Sequence, residues 1–304
     1  SWAPRARSSL LRPMPRDVCL IVNPSAGGGR AARLLPQVEA ALRGHGLRFR
    51  VERTRSMDHA RELAHSACAA GEVAAAMGGD GLTGAVAGEL RDGAGVLAVL
   101  PGGRGNDFAR KLGIGADPVA ACELIATGSE KRIDLAETGG RAFLGILSAG
   151  LDSDANEIAN ATPLKLGTLV YAYGALRALA AWKPAGWTVT GLEGGTREFA
   201  GYSVAVSNSG VYGSGMYLVP DARLDDGMLD VVLAHDISKP RYLANVPKVF
   251  KGTHVDEPGL EILRAEEITI AADRPFTAYA DGDPITELPA TVRVLPGTLR
   301  VLGP

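Results

Sequence analysis

Hydrophobic positions in the first half of the chain alternate between short continuous runs and helical spacing. The runs predict buried strands at Val18–Asn23, Leu47–Arg53, Val73–Met77 and Val96–Leu100. Apolar residues at helical spacing predict helices at Leu34–Leu42, at His59–Ala70, after Gly81 and at Pro118–Thr127. Pro36 is expected to open the first regular helix, because proline is tolerated in a first turn, and Gly27–Arg33 would then form a loop. Strands that alternate with helices indicate a parallel α/β sheet.

Beyond about Asp134 the pattern changes to short β-type segments separated by glycines. The predicted strands are Ala142–Ser148, Trp187–Leu192, Tyr202–Ser207, Met228–Ala234, Ile268–Ala271, Thr277–Ala280 and Thr291–Leu295. Helical spacing predicts two helices here, Leu164–Trp182 and Arg241–Phe250. This order of elements indicates an antiparallel β-sandwich.

Composition narrows the class of protein. A chain of 304 residues, 46% hydrophobic and 22% charged, suits two modest globular domains. The net charge of −2 gives no support for a nucleic-acid partner. Cys19, Cys68 and Cys122 lack the spacing of a disulfide framework or a zinc site. We find no apolar run long enough for a transmembrane helix, so any membrane contact is expected to be peripheral. Residues 1–16 are basic and contain proline, and they are interpreted as a flexible leader.

Four glycine-rich or acidic segments follow predicted strands, and the carboxyl ends of parallel strands are where ligand crevices form. We call them loop 1 (Asn23–Arg30), loop 2 (Gly78–Gly81), loop 3 (Leu100–Arg110) and the acidic turn (Ala280–Pro284). The glycines would let backbone N–H groups approach a phosphate, and Asp80 in loop 2 could meet a Mg²⁺ ion bound to phosphates. The alternative is that all four are ordinary turns or helix caps.

Taken in order, these segments resemble the catalytic domain of the diacylglycerol kinase family. The family includes sphingosine kinases and shares its GGDG loop with NAD kinases. The matching segments are NPSAGGGRA, GGDG, LPGGRGNDFAR, Ile133-Asp134-Leu135, VPDARLDDGMLDV and DGDP. The resemblance implies an ATP-binding α/β domain at 17–136 that regains the segment 288–304, and a lipid-binding β-sandwich domain at 137–287. The last strand, Thr298–Leu302, would return to the first domain. The active site would lie in the cleft between them.

The resemblance also implies an activity, namely Mg²⁺-assisted transfer of phosphate from ATP to the hydroxyl of diacylglycerol or a related lipid alcohol. Asp281 is the candidate general base, with Asp80 as its rival. The nucleotide and its metal would contact Asn23, Pro24, Gly27, Gly28, Thr54, Gly78, Gly79, Asp80, Gly81, Thr83, Arg104, Asn106, Asp107, Asp134 and Asp283. A second, structural Mg²⁺ would bind the Asp226 carboxylate and the carbonyls of Arg223 and Met228, unless this segment is a plain Asp-Gly turn.

The implied partners are a lipid substrate and the membrane that contains it. The resemblance therefore implies a cytoplasmic protein that associates peripherally with the inner face of the membrane. The sequence leaves the oligomeric state open, with a homodimer as one option.

The chain departs from the family pattern at several polar positions. Leu82 and Arg104 stand where threonines are usual, and Gly145 stands where asparagine is common. The family usually has an Asn-Glu pair shortly after loop 2, and this chain has Thr83-Gly84-Ala85 there instead. Two other hypotheses stay open: a catalytically weak or inactive homologue that binds lipid or nucleotide, and an NAD kinase, which the GGDG loop alone supports.

Overall fold

The computed structural model describes residues 16–91, 95–161 and 169–304. Residues 1–15 of the predicted leader lie outside the described part. Arg16 is anchored, since its guanidinium donates to the carbonyl of Ile125 at 2.8 Å and to that of Gly128 at 3.2 Å. Arg16, the last residue of the predicted leader, is therefore held to the first half of the structure.

The first half folds as the predicted parallel α/β layer. Its strands are β1 (Asp17–Val22), β2 (Arg48–Arg53), β3 (Val73–Gly78) and β4 (Val96–Pro101). They pair in parallel in the order β2-β1-β3-β4. The helices are α1 (Ala26–Gly44), α2 (Met57–Ala69), α3 (Asp80–Glu89), α4 (Asp107–Lys111) and α5 (Pro118–Thr127). Strands β3 and β4 are buried along their whole length, as apolar runs without alternation predict.

The start of α1 differs from the prediction. Only Gly27–Gly29 have non-helical angles, all with φ between 61° and 85°, and the regular helix begins at Arg30 rather than at Pro36. Pro36 lies inside the helix on its exposed side. Proline has no N–H to donate to the carbonyl of Ala32, the residue four positions earlier, and Ala32 is also on the exposed side. Water can solvate that carbonyl, so the proline does not end the helix here.

The second half contributes mainly antiparallel strands. They are β5 (Ser129–Thr138), β6 (Arg141–Phe143), β7 (Ile146–Gly150), β8 (Ala185–Thr190), β9 (Arg197–Ser207), β10 (Val211–Tyr212), β11 (Met216–Tyr217), β12 (Leu229–His235), β13 (Leu260–Ala265), β14 (Glu267–Ala272), β15 (Thr277–Ala280), β16 (Asp283–Glu287) and β17 (Ala290–Gly303). The helices are α6 (Leu151–Ala161), α7 (Leu169–Ala181) and α8 (Lys239–Val249). The first part of the predicted helix 164–182 falls on residues 162–168, which lie outside the described part.

One strand joins the two halves. The amino-terminal part of β17 pairs with β14 of the sandwich, and its carboxyl-terminal part pairs in parallel with β4. The predicted strands Thr291–Leu295 and Thr298–Leu302 are therefore two parts of one strand, interrupted by a register shift between Leu295 and Leu299. The hydrogen-bonded sheet runs β16-β15-β7-β9-β8-β14-β17-β4-β3-β1-β2.

The strand predicted at Ala142–Ser148 is broken in two. Strand β6 ends at Phe143 and β7 begins at Ile146. The backbone N–H groups of Leu144, Gly145 and Ile146 all point to the carboxylate of Asp281. The Asp281 side chain thus accepts hydrogen bonds from backbone N–H groups that a continuous strand would donate to a neighbouring strand.

Each half has its own buried apolar cluster. The first surrounds Leu20, Ile21, Met77 and Leu97, and the second surrounds Trp187, Tyr202 and Val231. Within the described residues, no helix combines the length and the hydropathy that a membrane crossing requires.

Candidate active site in the cleft between the two halves

Loop 1 turns through three left-handed glycines. Asn23 follows β1, and its side-chain oxygen accepts bonds from the backbone and the hydroxyl of Ser25, which fixes the turn before Pro24 and Ser25 lead into α1. A Cβ on Gly27 would lie 2.6 Å from the carbonyl oxygen of Gly102. Glycine is required at this position both by its φ of 61° and by the close approach of loop 3.

Loops 2 and 3 pack backbone against backbone. The N–H groups of Gly102 and Gly103 both donate to the carbonyl of Gly78, at 2.8 and 2.9 Å. A Cβ on Gly103 would lie 2.4 Å from Cα of Gly79, so a side chain would separate the loops. Asn106 closes loop 3 by exchanging two side-chain bonds with the backbone of Gly103. The structure therefore gives these glycines a packing role whether or not they also contact a phosphate.

The amino ends of three helices meet at these loops. Loop 1 leads into α1, Asp80 is the first residue of α3, and Asp107 is the first residue of α4. The Oδ1 atom of Asp80 accepts the N–H of Phe108 at 3.0 Å, which ties α3 to α4. Helix amino ends carry partial positive charge and N–H groups without helical partners, so this corner suits an anion.

Asp107 connects the two halves. Its Oδ1 pairs with Arg110 at 2.5 Å, and its Oδ2 accepts the N–H of Ser214 at 2.7 Å from the sandwich half. Burial, and secondarily the negative charge of Asp80, raise the pKa of Asp107, while the Ser214 bond lowers it. The side chain of Asp107, one of the residues predicted to contact the nucleotide, thus bridges the two halves.

Asp281 lies in the acidic turn between β15 and β16, with its backbone in the left-handed region at φ 52°. Its Oδ1 accepts the N–H groups of Gly145 at 2.9 Å and Ile146 at 3.2 Å, and its Oδ2 accepts that of Leu144 at 3.0 Å. Burial, partly offset by these bonds and assisted by the charge of Asp80, raises the pKa of Asp281 to about 6. The turn is therefore the hairpin expected from Asp-Gly, and it also holds a perturbed carboxylate.

Two glycines of α3 face the acidic turn. A Cβ on Gly84 would lie 3.4 Å from Asp281 Oδ2, and one on Gly81 would lie 3.8 Å from Asp283 Oδ2. The side chains of both aspartates thus face the first turns of α3, which begins at Asp80. Gly84, a departure from the family pattern in the sequence, is the nearer of the two to the proposed site, and a Cβ there would be in ordinary contact with Asp281.

Asp134 lies elsewhere, at the junction of β5, β17 and the segment before β12. It is only 2% exposed, and its two oxygens accept the N–H groups of Gly227 and Gly297, each at 2.7 Å. Both oxygens are engaged by the backbone of this chain. Its predicted contribution to the nucleotide and metal network stays a prediction, and the observed contacts are those of a structural tie.

The segment predicted to hold a second metal is an Asx-type turn. The carboxylate of Asp226 accepts the N–H of Met228 at 3.2 Å and pairs with Arg264, and Arg223 pairs with Asp225 at 3.2 Å. A guanidinium on the Asp226 carboxylate does not suit a cation at the same oxygens. These residues do not fit a Mg²⁺ ion as arranged, and we derive no step from one here.

Loop 2 fits Mg²⁺ better. Mg²⁺ is usually held by one or two carboxylates together with substrate phosphates, rather than by a cage of protein ligands. Asp80 has one oxygen bound by Phe108, and the other lies on the side of Gly105. Across the described ranges, no three histidine, cysteine or acidic side chains are grouped closely enough to bind one metal ion. Asp80 is therefore the residue that would hold the ion, with phosphate oxygens completing its shell.

The remaining predicted contacts differ in their surroundings. Thr54 follows β2 and binds the end of β1 through its N–H to Val22 at 2.8 Å, close to the start of loop 1. Thr83 is 2% exposed, and its hydroxyl donates to the carbonyl of Gly79 inside α3. Leu82 is buried above Gly78, and Arg104 is exposed at the tip of loop 3. A phosphate contact from Thr83 would require its hydroxyl to leave Gly79.

A cleft of about 690 Å³ opens beside Asp281. Its walls are the face of α2, the glycine-rich face of α3 and the hairpin of β15 and β16, which places it between the two halves. Charged residues in its lining include Arg61, Arg91, Arg141, Asp281 and Asp283. The volume lies within the usual range for small-molecule sites, of roughly 300 to 1,000 Å³.

The sequence interpretation missed one segment of this site. Asn208–Gly215, rich in serine and glycine, follows β9 and supplies the Ser214 N–H to Asp107. Asn208 is 1% exposed, and its amide donates to the carbonyls of Asp134 and Leu144. The signal was available, because a glycine-rich stretch after an apolar strand is the pattern used to find the other loops.

Comparison with known proteins agrees with this geometry. Residues 17–138 match the family model of the diacylglycerol kinase catalytic domain, and residues 145–303 match that of the YegS C-terminal NAD kinase beta sandwich-like domain. The two matches follow the two halves of the structure.

Curated relatives match along almost the whole chain. A protein named diacylglycerol kinase from Mycobacterium tuberculosis (strain H37Rv) is 32% identical over 94% of this chain and 95% of its own length. One named "Probable lipid kinase YegS-like" from Pseudomonas aeruginosa (strain PAO1) is 31% identical, with 95% of each chain covered. A crystal structure of a diacylglycerol kinase from Bacillus anthracis (strain Sterne) superposes with a TM-score of 0.75 at 22% identity, over 95% of this chain and 97% of that one. Two consecutive domain matches, full-length relatives and a shared fold lead to one conclusion: this chain belongs to the diacylglycerol kinase family of lipid kinases.

Proposed function

We propose that the protein transfers the γ-phosphate of ATP to the hydroxyl of diacylglycerol or a related lipid alcohol, with Asp281 as general base. The observation that carries this proposal is the setting of Asp281: three backbone N–H groups fix its carboxylate beside the cleft, and its pKa is raised to about 6. A base with a pKa just below neutral is ionised at pH 7 and still able to accept a proton.

The nucleotide phosphates would lie where loops 1, 2 and 3 meet. The helix amino ends and glycine N–H groups there favour negative charge. A Mg²⁺ ion bound at Asp80 would neutralise charge on the phosphoryl oxygens. Asp107 would hold the sandwich half against this corner through the N–H of Ser214.

The acceptor hydroxyl would approach from the cleft side of Asp281. Its proton would pass to a carboxylate oxygen of Asp281 as its oxygen forms a bond to the γ-phosphorus and the bond to ADP breaks. The glycine-rich face of α3 leaves room for both reactants next to this carboxylate. Asp80 is the rival base, but its carboxylate would be taken up by the Mg²⁺ ion that the proposal assigns to it.

The test of the proposal is Asp281→Asn. Asparagine tolerates φ 52° and keeps the size of the side chain, and its one acceptor oxygen can retain the bonds from Gly145 and Ile146 while that from Leu144 is lost. The turn should therefore persist while the base is lost, and the thermal midpoint of the variant checks this. We expect at least a hundredfold loss of phosphate transfer from γ-labelled ATP to diacylglycerol in mixed micelles, the scale of general-base catalysis. Glu287→Gln, on the same hairpin and outside the cleft lining, is the matched control and should keep its activity. Undiminished transfer by Asp281→Asn would remove Asp281 as base.

A weakly active or inactive binding protein is the second candidate, and a specific observation favours it. Leu82 and Thr83 are both buried, so neither residue after loop 2 offers a hydroxyl to a phosphate. A lipid extract incubated with the protein, ATP and Mg²⁺ and then examined by mass spectrometry separates the candidates. A species that gains one phosphate establishes the kinase, binding of ATP or lipid without such a species establishes the binding protein, and phosphorylated NAD would indicate an NAD kinase.

A further inference from the structure

Helix α8 is the feature of the sandwich half that the proposed chemistry does not use. It is joined to the core mainly by Tyr242, whose ring stacks on Tyr202 with centroids 4.5 Å apart. The hydroxyl of Tyr202 in turn donates to the carbonyl of Ile237 just before the helix, at 2.7 Å. None of the side chains of α8, a helix described in full, is completely buried. The helix therefore lies on the surface with most of its circumference accessible.

The accessible side of α8 is apolar in one stripe. Leu243, Val246 and Phe250 are 44%, 37% and 47% exposed, and they stand three and four residues apart. This spacing places them on one helical face. Helix α7, whose last turn accepts a bond from Lys239 to the carbonyl of Ala180, exposes Leu176 in addition. Most large exposed hydrophobic side chains of a monomer occur singly, so a stripe of this kind suggests a contact surface.

The same segment is strongly basic. Between Lys239 and Lys251 the chain carries four basic residues, Lys239, Arg241, Lys248 and Lys251, and no acidic residue, although the whole chain has a net charge of −2. Lys248 pairs with Glu257 at 2.5 Å and is the main cause of the lowered pKa of that carboxyl, to which the exposed Arg241 also contributes. Lys251 is exposed as well. Arg241 stands two residues before Leu243, so helical spacing places it on the face opposite the stripe, and Lys251 follows the end of the helix. An apolar face with cations on the polar face is the pattern of a helix that lies in the interface of an anionic bilayer.

A second copy of this chain fits the surface less well. Most homodimers have two-fold symmetry, so both copies would use the same patch and the basic residues of two such patches would be brought together. An anionic lipid surface is complementary both to the charges and to the stripe.

We propose that α8 is the membrane-docking element, with Leu243, Val246 and Phe250 inserted among the lipids and Arg241 and Lys251 bound to anionic headgroups. This inference rests on the proposed function, because a lipid substrate resides in the kind of surface on which the helix would dock. Docking itself requires no catalysis, and it can be measured in the absence of ATP.

The experiment is co-sedimentation of the full chain with vesicles of phosphatidylcholine alone and of phosphatidylcholine with about one third phosphatidylglycerol. We expect binding to the anionic vesicles that weakens as salt is raised. The variant Arg241→Gln with Lys251→Gln should lower the partition coefficient about thirtyfold, since each basic residue near an anionic surface contributes about fivefold. The variant Leu243→Gln with Phe250→Gln should lower it at least tenfold on the same vesicles. The double variant Arg43→Gln with Arg48→Gln, exposed on the other half, is the matched charge control and should bind like the unaltered chain.

Each outcome decides the proposal. Equal binding by the unaltered chain and both α8 variants would overturn it, as would binding that ignores lipid charge. Concentration-dependent dimerisation that the Leu243→Gln, Phe250→Gln variant abolishes, without vesicle binding, would assign the stripe to a second copy instead. Because the α8 variants leave the cleft intact, they should still phosphorylate a short-chain diacylglycerol presented without vesicles. If the unaltered chain does not phosphorylate short-chain diacylglycerol, the proposed function is refuted, and the result of the vesicle-binding experiment still holds.

Discussion

Gly145 controls the position of the proposed base, so its replacement by alanine gives a direct test. A Cβ at this residue would lie 2.3 Å from Oδ1 of Asp281. Carbon and oxygen atoms that are not bonded approach to roughly 3.3 Å. The carboxylate must therefore move by about 1 Å or the strand must shift. The φ of Gly145 is not in the left-handed region, so alanine itself suits this backbone.

The displacement acts on both the geometry and the charge of Asp281. The bonds from the N–H groups of Gly145 and Ile146 would weaken or break, and a displacement of 1 Å at a reacting group lowers turnover by about a hundredfold. The same bonds lower the pKa of Asp281. Their loss should raise this pKa further above about 6 and move the acidic limb of the pH–rate profile to higher pH.

The measurement is kcat for diacylglycerol phosphorylation between pH 5 and 9, with the thermal midpoint recorded for each variant. Gly84→Ala, whose Cβ would lie 3.4 Å from Asp281 Oδ2, should show a smaller loss. Gly88→Ala, whose Cβ would lie 3.9 Å from Ala142 in the same cleft, is the control and should stay within about twofold. Full activity of Gly145→Ala with an unshifted acidic limb would contradict the role given to the three N–H groups.

Three further predictions follow from single carboxylates. In the unaltered enzyme kcat should fall tenfold per pH unit below about pH 6, as Asp281 becomes protonated, and a flat profile down to pH 5 would exclude it as base. Asp134→Ala leaves two half-buried N–H groups without their acceptors and should lower the free energy of unfolding by about 1–3 kcal/mol in urea titrations, whereas the exposed Asp225→Ala should change it by less than about 0.5 kcal/mol. Burial raises the pKa of Asp152 from 3.8 to about 6, so its stabilising contribution is full below pH 3.8 and is lost as pH rises through 6. Asp152→Asn should therefore stabilise the protein by about 1–3 kcal/mol at pH 7.5 and by nearly nothing at pH 4, and equal effects at both values would refute this sign.

The sequence predicts the sheet of the first half well, because β3 and β4 are buried on both faces and appear as continuous apolar runs. It also finds loops 1 to 3 and the acidic turn, since glycine and aspartate after a strand are local signals. The predicted helix start at Pro36 was wrong, since the regular helix begins at Arg30. Ala32, whose carbonyl loses its partner, lies on the exposed side of the helix, and a rule about proline does not include this exposure.

The hydrogen bonds that position the Asp281 carboxylate could not be predicted from the sequence. Its partners Leu144, Gly145 and Ile146 lie 137, 136 and 135 residues away in the chain. In the sequence Gly145 appears only as the loss of a common asparagine. In the structure the absence of a side chain is what allows the carboxylate to reach three N–H groups. We therefore expect Gly145→Asn, which restores the family residue, to impair this chain in the same assay.

Strand β17 has a mechanical consequence for the cleft. Strand β17 is hydrogen-bonded to β14 at one end and to β4 at the other, so bending of one half is transmitted to the other. The two halves therefore do not move as domains on a flexible linker would. The ladder is interrupted only at Pro296–Thr298, where Asp134 holds the N–H of Gly297. Torsion about this interruption is the softest motion that the connection allows. Admission of a lipid would then be a small rotation of the sandwich about the long axis of one strand.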